Sequence, residues 1–269
     1  MRALLIVALA LFMVPAYAAT LSVLRPVYFE ASDGSELGLG AVGPGQTLSV
    51  EADALVTSGG KFGIGGRWDR LEIVEVPMGW SADDSLLYEQ PLKARVKVAR
   101  DAKDGEYMVL VRAVDIEGKE ELGEVNLRLR VNVTMDVFGM KVSPARRETG
   151  AAQPASYMVT IDNMGVASDA FEISAGGLPV WNFRKTVFVP YGQSRTVPYE
   201  VASGEEGEYD VKIKVKSISS DLLSGEQNVH LGVSTSLWSD YRATNNGLLL
   251  FPIFEQAAYS VMGLISNLF

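Results

Sequence analysis

Apolar and polar residues alternate with period two in several separate stretches of the chain. Leu92, Ala94, Val96 and Val98 alternate with Lys93, Arg95 and Lys97. Val125, Leu127, Leu129, Val131 and Val133 alternate with Asn126, Arg128, Arg130 and Asn132. Val211, Ile213 and Val215 alternate with Asp210, Lys212, Lys214 and Lys216. Successive side chains of an extended backbone point to opposite sides, so each stretch predicts an antiparallel strand with one buried and one wet face. Val109, Val111 and Ala113 keep the period, but Met108, Leu110 and Val114 share the opposite face with Arg112. That second face is partly apolar and predicts a covering element.

The stretches repeat. "DGEYMVLVRAV" (Asp104 to Val114) and "EGEYDVKIKVK" (Glu206 to Lys216) place Gly105 and Gly207 102 residues apart. "RLEIVEVPMGW" (Arg70 to Trp80) and "AFEISAGGLPVW" (Ala170 to Trp181) stand about one hundred residues apart as well, the span of one small β-sandwich. "SRTVPYEV" precedes the second Gly-Glu-Tyr and "NVHLGV" follows it, as the alternating stretches flank the first. The fold class expected is therefore all-β: two tandem immunoglobulin-like sandwiches over 19–134 and 135–235. In such sandwiches a tyrosine at the corner before the sixth strand bonds back to the backbone. Gly105 and Gly207 would form the corner, with Tyr107 and Tyr209 pinning it. Val109 and Val211 stand two residues later, where disulfide-bonded sandwiches carry a cysteine, so packing replaces the cross-link.

"SYMVTIDNMGVASDAFEIS" resembles the tandem immunoglobulin-like modules of secreted bacterial and archaeal proteins, of the cell-adhesion-related and galactosidase-associated type. Asn163, Gly165, Asp169 and Phe171 match their Asn-x-Gly turn and Asp-x-Phe strand. The resemblance covers about 135–234; the first unit lacks the turn and carries "LVTSGGKFGIGGRWDR" in its place. It implies a spacer or adhesion module outside the cell, sometimes attached to carbohydrate-active enzymes, and no catalysis.

Composition narrows the class. The 269 residues are 48% hydrophobic, enough for packed cores, and 26 glycines with 11 prolines suit a turn-rich β-protein. A net charge of −9 argues against nucleic-acid partners. There is no cysteine, hence no thiol nucleophile, thiolate metal site or disulfide. Met1-Arg2, the apolar run "ALLIVALALFMV" and Ala16-Tyr17-Ala18 predict a signal peptide over 1–18 and an exported, extracellular or cell-surface chain.

Candidate chemistry is sparse, and neither a cofactor nor a metal is expected. The single histidine, His230, alternates with Val229 and Leu231 and is read as a solvated surface residue. Gly38 to Gly43 spell a dinucleotide fingerprint, but Pro44-Gly45 follow where a helix should begin, so the segment reads as a loop. Asp115, Glu117, Glu120, Glu121 and Glu124 fit no calcium-loop spacing and read as a wet hairpin tip. Asn132-Val133-Thr134 is a glycosylation sequon on a wet strand face. Trp181, Phe183 and Tyr191 crowd one stretch, as a glycan-stacking platform would, and equally as core packing would.

After 235 the pattern changes. A linker over 236–246, ending near Asn245-Asn246-Gly247, leads to a hydrophobic segment over 247–269 whose one ionisable side chain is Glu255. On a helical wheel the polar residues, among them Glu255, Gln256, Tyr259 and Ser266, fall within about 140°. A helix there would span a membrane, lie in its interface, or dock on an apolar protein surface. The function expected is a non-enzymatic cell-surface spacer, adhesion domain or envelope-complex subunit, its neighbours being membrane, envelope proteins or glycans. The alternative is a carbohydrate-binding module working through the aromatic stretch.

Overall fold

The computed structural model describes residues 19–235. The expected leader and the segment 236–269, with Glu255, Gln256, Tyr259 and Ser266, lie outside the described residues. Among the described residues there is no α-helix, and so none long and apolar enough to cross a membrane.

The first sandwich contains β1 (Leu21–Arg25), β2 (Phe29–Ala31), β3 (Ser35–Val42), β4 (Thr47–Ala52), β5 (Leu55–Val56), β6 (Gly66–Arg67), β7 (Arg70–Glu75), β8 (Ser81–Asp83), β9 (Leu92–Lys97), β10 (Gly105–Val114) and β11 (Glu124–Val133). One sheet runs β2-β1-β4-β9-β8 and the other β3-β11-β10-β7. The alternating stretches form the centre: β10 and β11 pair antiparallel, with Val109 opposite Leu129 and Val111 opposite Leu127. Their inward side chains, with Trp68, Leu48, Leu71 and Leu92, are fully buried between the sheets. Each such burial contributes about 1.5–3 kcal/mol, and no cross-link supplements it.

The second sandwich contains β12 (Phe138–Ser143), β13 (Arg146–Thr149), β14 (Ala155–Asn163), β15 (Asp169–Gly176), β16 (Arg184–Val189), β17 (Ser194–Val201), β18 (Gly207–Ser217) and β19 (Ser224–Val233). Its sheets run β12-β14-β17 and β13-β19-β18-β15-β16. The core is built on Tyr157, Tyr199, Phe171, Ile161 and Ile173. Both buried tyrosines satisfy their hydroxyls at its margin: Tyr157 donates to the carbonyl of His230 at 2.7 Å and Tyr199 to that of Phe183 at 2.6 Å.

The repeated segments occupy equivalent places: β7 with β15, β9 with β17, β10 with β18 and β11 with β19. In each unit the first strand of the second sheet lies parallel to the last strand of the unit, β3 on β11 and β13 on β19. That is the strand order of the immunoglobulin-like sandwich. The units differ in the strand after the third. In the first unit β8 pairs with β9; in the second β16 crosses to the other sheet and pairs with β15.

Two sequence expectations are corrected. Gly38 to Val42 is not loop but the end of β3, paired to β11, with its register slipping beside Gly40. Gly40 takes a φ of +113°, and a Cβ there would come within 2.9 Å of Val166, so the glycines serve a bulge and a close approach. The partly apolar face of β10 is covered only at its end, where Val114 is buried and the amide of Asp69, from the preceding loop, donates to its carbonyl. Met108 and Leu110 instead line an open depression with Glu75, Asn126 and Arg128.

Candidate functional site

The polar feature buried most deeply is the joint between the sandwiches. Four residues, 134–137, separate β11 from β12. The joint is made by the turn 43–46 of the first sandwich against the turn 163–169 and the loop 217–223 of the second. Asp169, at the start of β15, is 2% exposed. Its Oδ2 accepts from Gln46 Nε2 at 2.8 Å and Ser217 Oγ at 2.7 Å, and its Oδ1 accepts from Ser219 Oγ at 2.7 Å. The wholly buried Gln46 completes the pair, since its Oε1 accepts from the Gly43 amide at 2.8 Å. With both ends of a buried amide engaged, rotation of either sandwich leaves charged or polar atoms unpartnered.

Apolar and backbone groups close the same joint. Val166 and Ala167 pack into the core of the first sandwich. The amide of Val166 donates to Ala41 O at 2.8 Å and that of Met164 to Val137 O at 2.9 Å. Gly45, at φ +77°, lies so close to the second unit that a Cβ would meet Ser219 O at 2.5 Å. Asn163 shapes the turn, donating to Ala167 O at 2.9 Å and Val189 O at 3.1 Å and accepting from Gly165 N at 3.1 Å. The motif Asn163, Gly165, Asp169 thus sits where the units meet. Gln46, Ser217 and Ser219 carry no local signal, because Gln46 and Asp169 lie 123 residues apart in sequence.

The corner residues form the same bond twice. Tyr107 donates to Lys103 O and Tyr209 to Glu205 O, both at 3.0 Å. Gly105 and Gly207, at φ 153° and 157°, open the two strands.

The aromatic stretch divides. Trp181 and Phe183 meet edge to face at 6.1 Å, and Phe183 stacks on Tyr199 at 5.7 Å, so Trp181 packs against the second core. Tyr191 lies beyond the six residues of β16, about 20 Å along an extended strand, beside the joint. One platform of all three rings is not formed.

His230 lies on the outer face of β19, its side chain 32% exposed. Its Nε2 meets Glu208 Oε2 and its Nδ1 meets Asp210 Oδ1 at 3.1 Å, and hydrogen bonds accepted by Asp210 and then Glu208 raise its pKa. Arg146 of β13 reaches Glu208 at 3.6 Å. With both ring nitrogens engaged by carboxylates of β18, the group ties β19 to β18. Asn132 is exposed on the outer face of β11, between Ala41 and Glu106. Among Asp115, Glu117, Glu120, Glu121 and Glu124, Asp115 caps its own loop by accepting from the amides of Glu120 and Leu122. No group of three or more His, Cys, Asp or Glu among the described residues is placed to hold a metal ion.

The pole of the first sandwich away from the joint is made by loops 53–69, 84–91 and 115–123. They are laced together: Lys61 N donates to Glu120 O and Tyr88 N to Asp69 O, each at 2.8 Å, and Asp69 N donates to Val114 O at 2.9 Å. Yet large apolar side chains point outward there, Phe62 at 76% exposure, Ile64 at 77% and Leu86 at 72%, with Leu55, Leu87 and Ile116 more than half exposed. The loops are fixed, and these side chains remain in water.

No family model and no curated protein matches the chain. Among solved structures it is similar to a β-glucosidase from Listeria innocua in complex with glucose, at 16% identity and a TM-score of 0.27 over 35% of this chain. It spans 16% of that enzyme's length. It is similar to fibronectin(III)-like modules of Clostridium thermocellum CbhA, at 14% identity and a TM-score of 0.28, covering 80% of this chain and 94% of that one. A chimeric titin Z1Z2 carrying a decorin peptide gives 9% identity and a TM-score of 0.35, covering 81% and 99%. Likenesses this distant transfer nothing, and the fold class rests on the strand order above: an all-β chain of immunoglobulin-like sandwiches.

Proposed function

We propose that the chain is a non-enzymatic, exported cell-surface protein, tethered through 247–269, whose two sandwiches form a stiff arm. The observation that supports it most is the joint. A buried carboxylate shared by Gln46, Ser217 and Ser219 fixes one unit on the other, as a spacer or adhesion arm requires and a freely jointed pair does not. Tethering at the C-terminal side leaves the apolar pole of the first sandwich at the far end. Glu89 and Glu120 of that pole make no ion pair among the described residues, whereas Glu117 and Glu121 are paired with Lys119 and Lys61. The pole's partner is an envelope protein presenting an apolar patch with basic residues around it.

Two chains test the reading, the full sequence and one stopped after Asp240, each expressed with residues 1–18. Cell fractions are extracted at high salt and high pH. Retention of the full chain until detergent is added, with release of the shorter one, is expected. Recovery of both from the cytoplasm defeats export, and release of both from washed membranes defeats tethering.

A further inference from the structure

A cleft of about 310 Å³ opens beside the joint, at the lower end of the 300–1,000 Å³ usual for ligand sites. Its floor is the outer face of β4 and β9, where Ser49 faces Arg95, Glu51 faces Lys93 and Thr47 faces Lys97 across the ladder. Its wall belongs to the second sandwich: Phe188 of β16, Tyr191, Val166 and Ser168.

The charge balance of this cleft opposes that of the chain. Glu51 is already shared by Lys93 at 2.9 Å and Arg25 at 3.6 Å. Arg95 makes no ion pair among the described residues; Asp83 faces it across the β8–β9 ladder without reaching it. Cations therefore exceed carboxylates on this face, in a chain whose net charge is −9. At the floor, the Ser49 hydroxyl is buried with no hydrogen-bond partner among protein groups. On the wall, Phe188 is 60% exposed although large and apolar.

We propose that this cleft binds an acidic oligosaccharide, a chain of uronic-acid or sulfated sugar units. The Arg95 guanidinium takes a carboxylate or sulfate through parallel N–H donors. Phe188 and Tyr191 take the apolar face of a sugar ring, and the hydroxyls of Thr47, Ser49 and Ser168 take the ring's own hydroxyls. A neutral glycan leaves the cation unanswered. An acidic peptide added as a strand finds no free edge on the floor, where β4 lies between β1 and β9, and β9 between β4 and β8; the edge strand β16 in the wall is the one place it could pair, and poly-glutamate tests that ligand below. The floor offers only side chains, which suits a ligand recognised by ring faces and substituents. Nothing in this site depends on the tether or on the apolar pole.

Affinity electrophoresis of the full chain tests it, with polygalacturonate, dextran sulfate, neutral dextran or poly-glutamate cast in the gel. Retardation by the two acidic glycans is expected, weakening as salt rises, with none by dextran and little by poly-glutamate. Arg95→Gln and Phe188→Ala should each weaken it at least about tenfold, a loss of about 1.4 kcal/mol. Both side chains are exposed, so the melting temperature should hold. Lys214→Gln, on the outer face of the second sandwich, should change nothing. Failure of both acidic glycans at low salt overturns the proposal. So does equal retardation by poly-glutamate, which makes the ligand an acidic peptide. Binding that survives Arg95→Gln and Phe188→Ala, or falls equally with Lys214→Gln, overturns it as well.

Discussion

Tyr209 makes its corner twice over, donating to Glu205 O at 3.0 Å and accepting from Ser203 Oγ at 3.1 Å. Tyr209→Phe keeps the ring and removes only these bonds, so it should cost about 1 kcal/mol, read as a lower denaturant midpoint at unchanged slope. His230 gives a pH dependence whose sign is fixed by its partners. Asp210 and Glu208 hold its folded pKa above the ordinary 6.5, with Arg146 opposing them. The stabilisation is fully present below that ordinary value and is lost as pH rises through the higher folded one. Denaturant midpoints between about pH 5.5 and about 8 should therefore fall for the native chain. They should flatten in His230→Gln, which keeps an amide between the carboxylates but cannot titrate. An equal fall in both proteins would assign the effect to other groups.

At the scale of elements, the sequence shows those strands whose two faces differ in polarity. β10, β11 and β18 each bury one face on a shared core, so their period is written in the residues themselves. β3 escapes because its glycines have no side chain to display a period, and its pairing with β11 is decided far along the chain. The crossing of β16 to the opposite sheet is equally hidden, since "RKTVFV" alternates in the same way whichever sheet receives it. The residues of the proposed cleft divide on the same line. Lys93, Arg95 and Lys97 are visible as one wet face, whereas Phe188 and Tyr191 come to that face only through the docking of one sandwich on the other. Trp181 and Tyr191 are near in sequence and apart in space for the simplest reason: a strand lies between them.

On the scale of the whole molecule, the joint decides whether the chain is one body or two. Asp169→Ala strands the buried Gln46 amide and two serine hydroxyls, at a cost of about 3 kcal/mol. Small-angle scattering from the native protein should fit a single arrangement of the sandwiches. The variant should require a spread of arrangements, with both units still folded by circular dichroism. A native profile that already demands such a spread would remove the stiff arm from the account. The absence of cysteine adds to the weight on this contact, because no covalent bond backs it.

The parallel pairing of β3 on β11 and of β13 on β19 has a mechanical consequence. Tension applied between the two ends of either sandwich draws those paired strands past each other lengthwise, so their hydrogen bonds are loaded together and do not unzip one at a time. Seven residue pairs join β3 to β11, and four join β13 to β19. Pulled in an optical trap, the chain should yield in two steps, the second sandwich at the lower force. Arg146 of β13 reaches past that weaker seam to Glu208 of β18, so Arg146→Gln should lower the first step and leave the other unchanged.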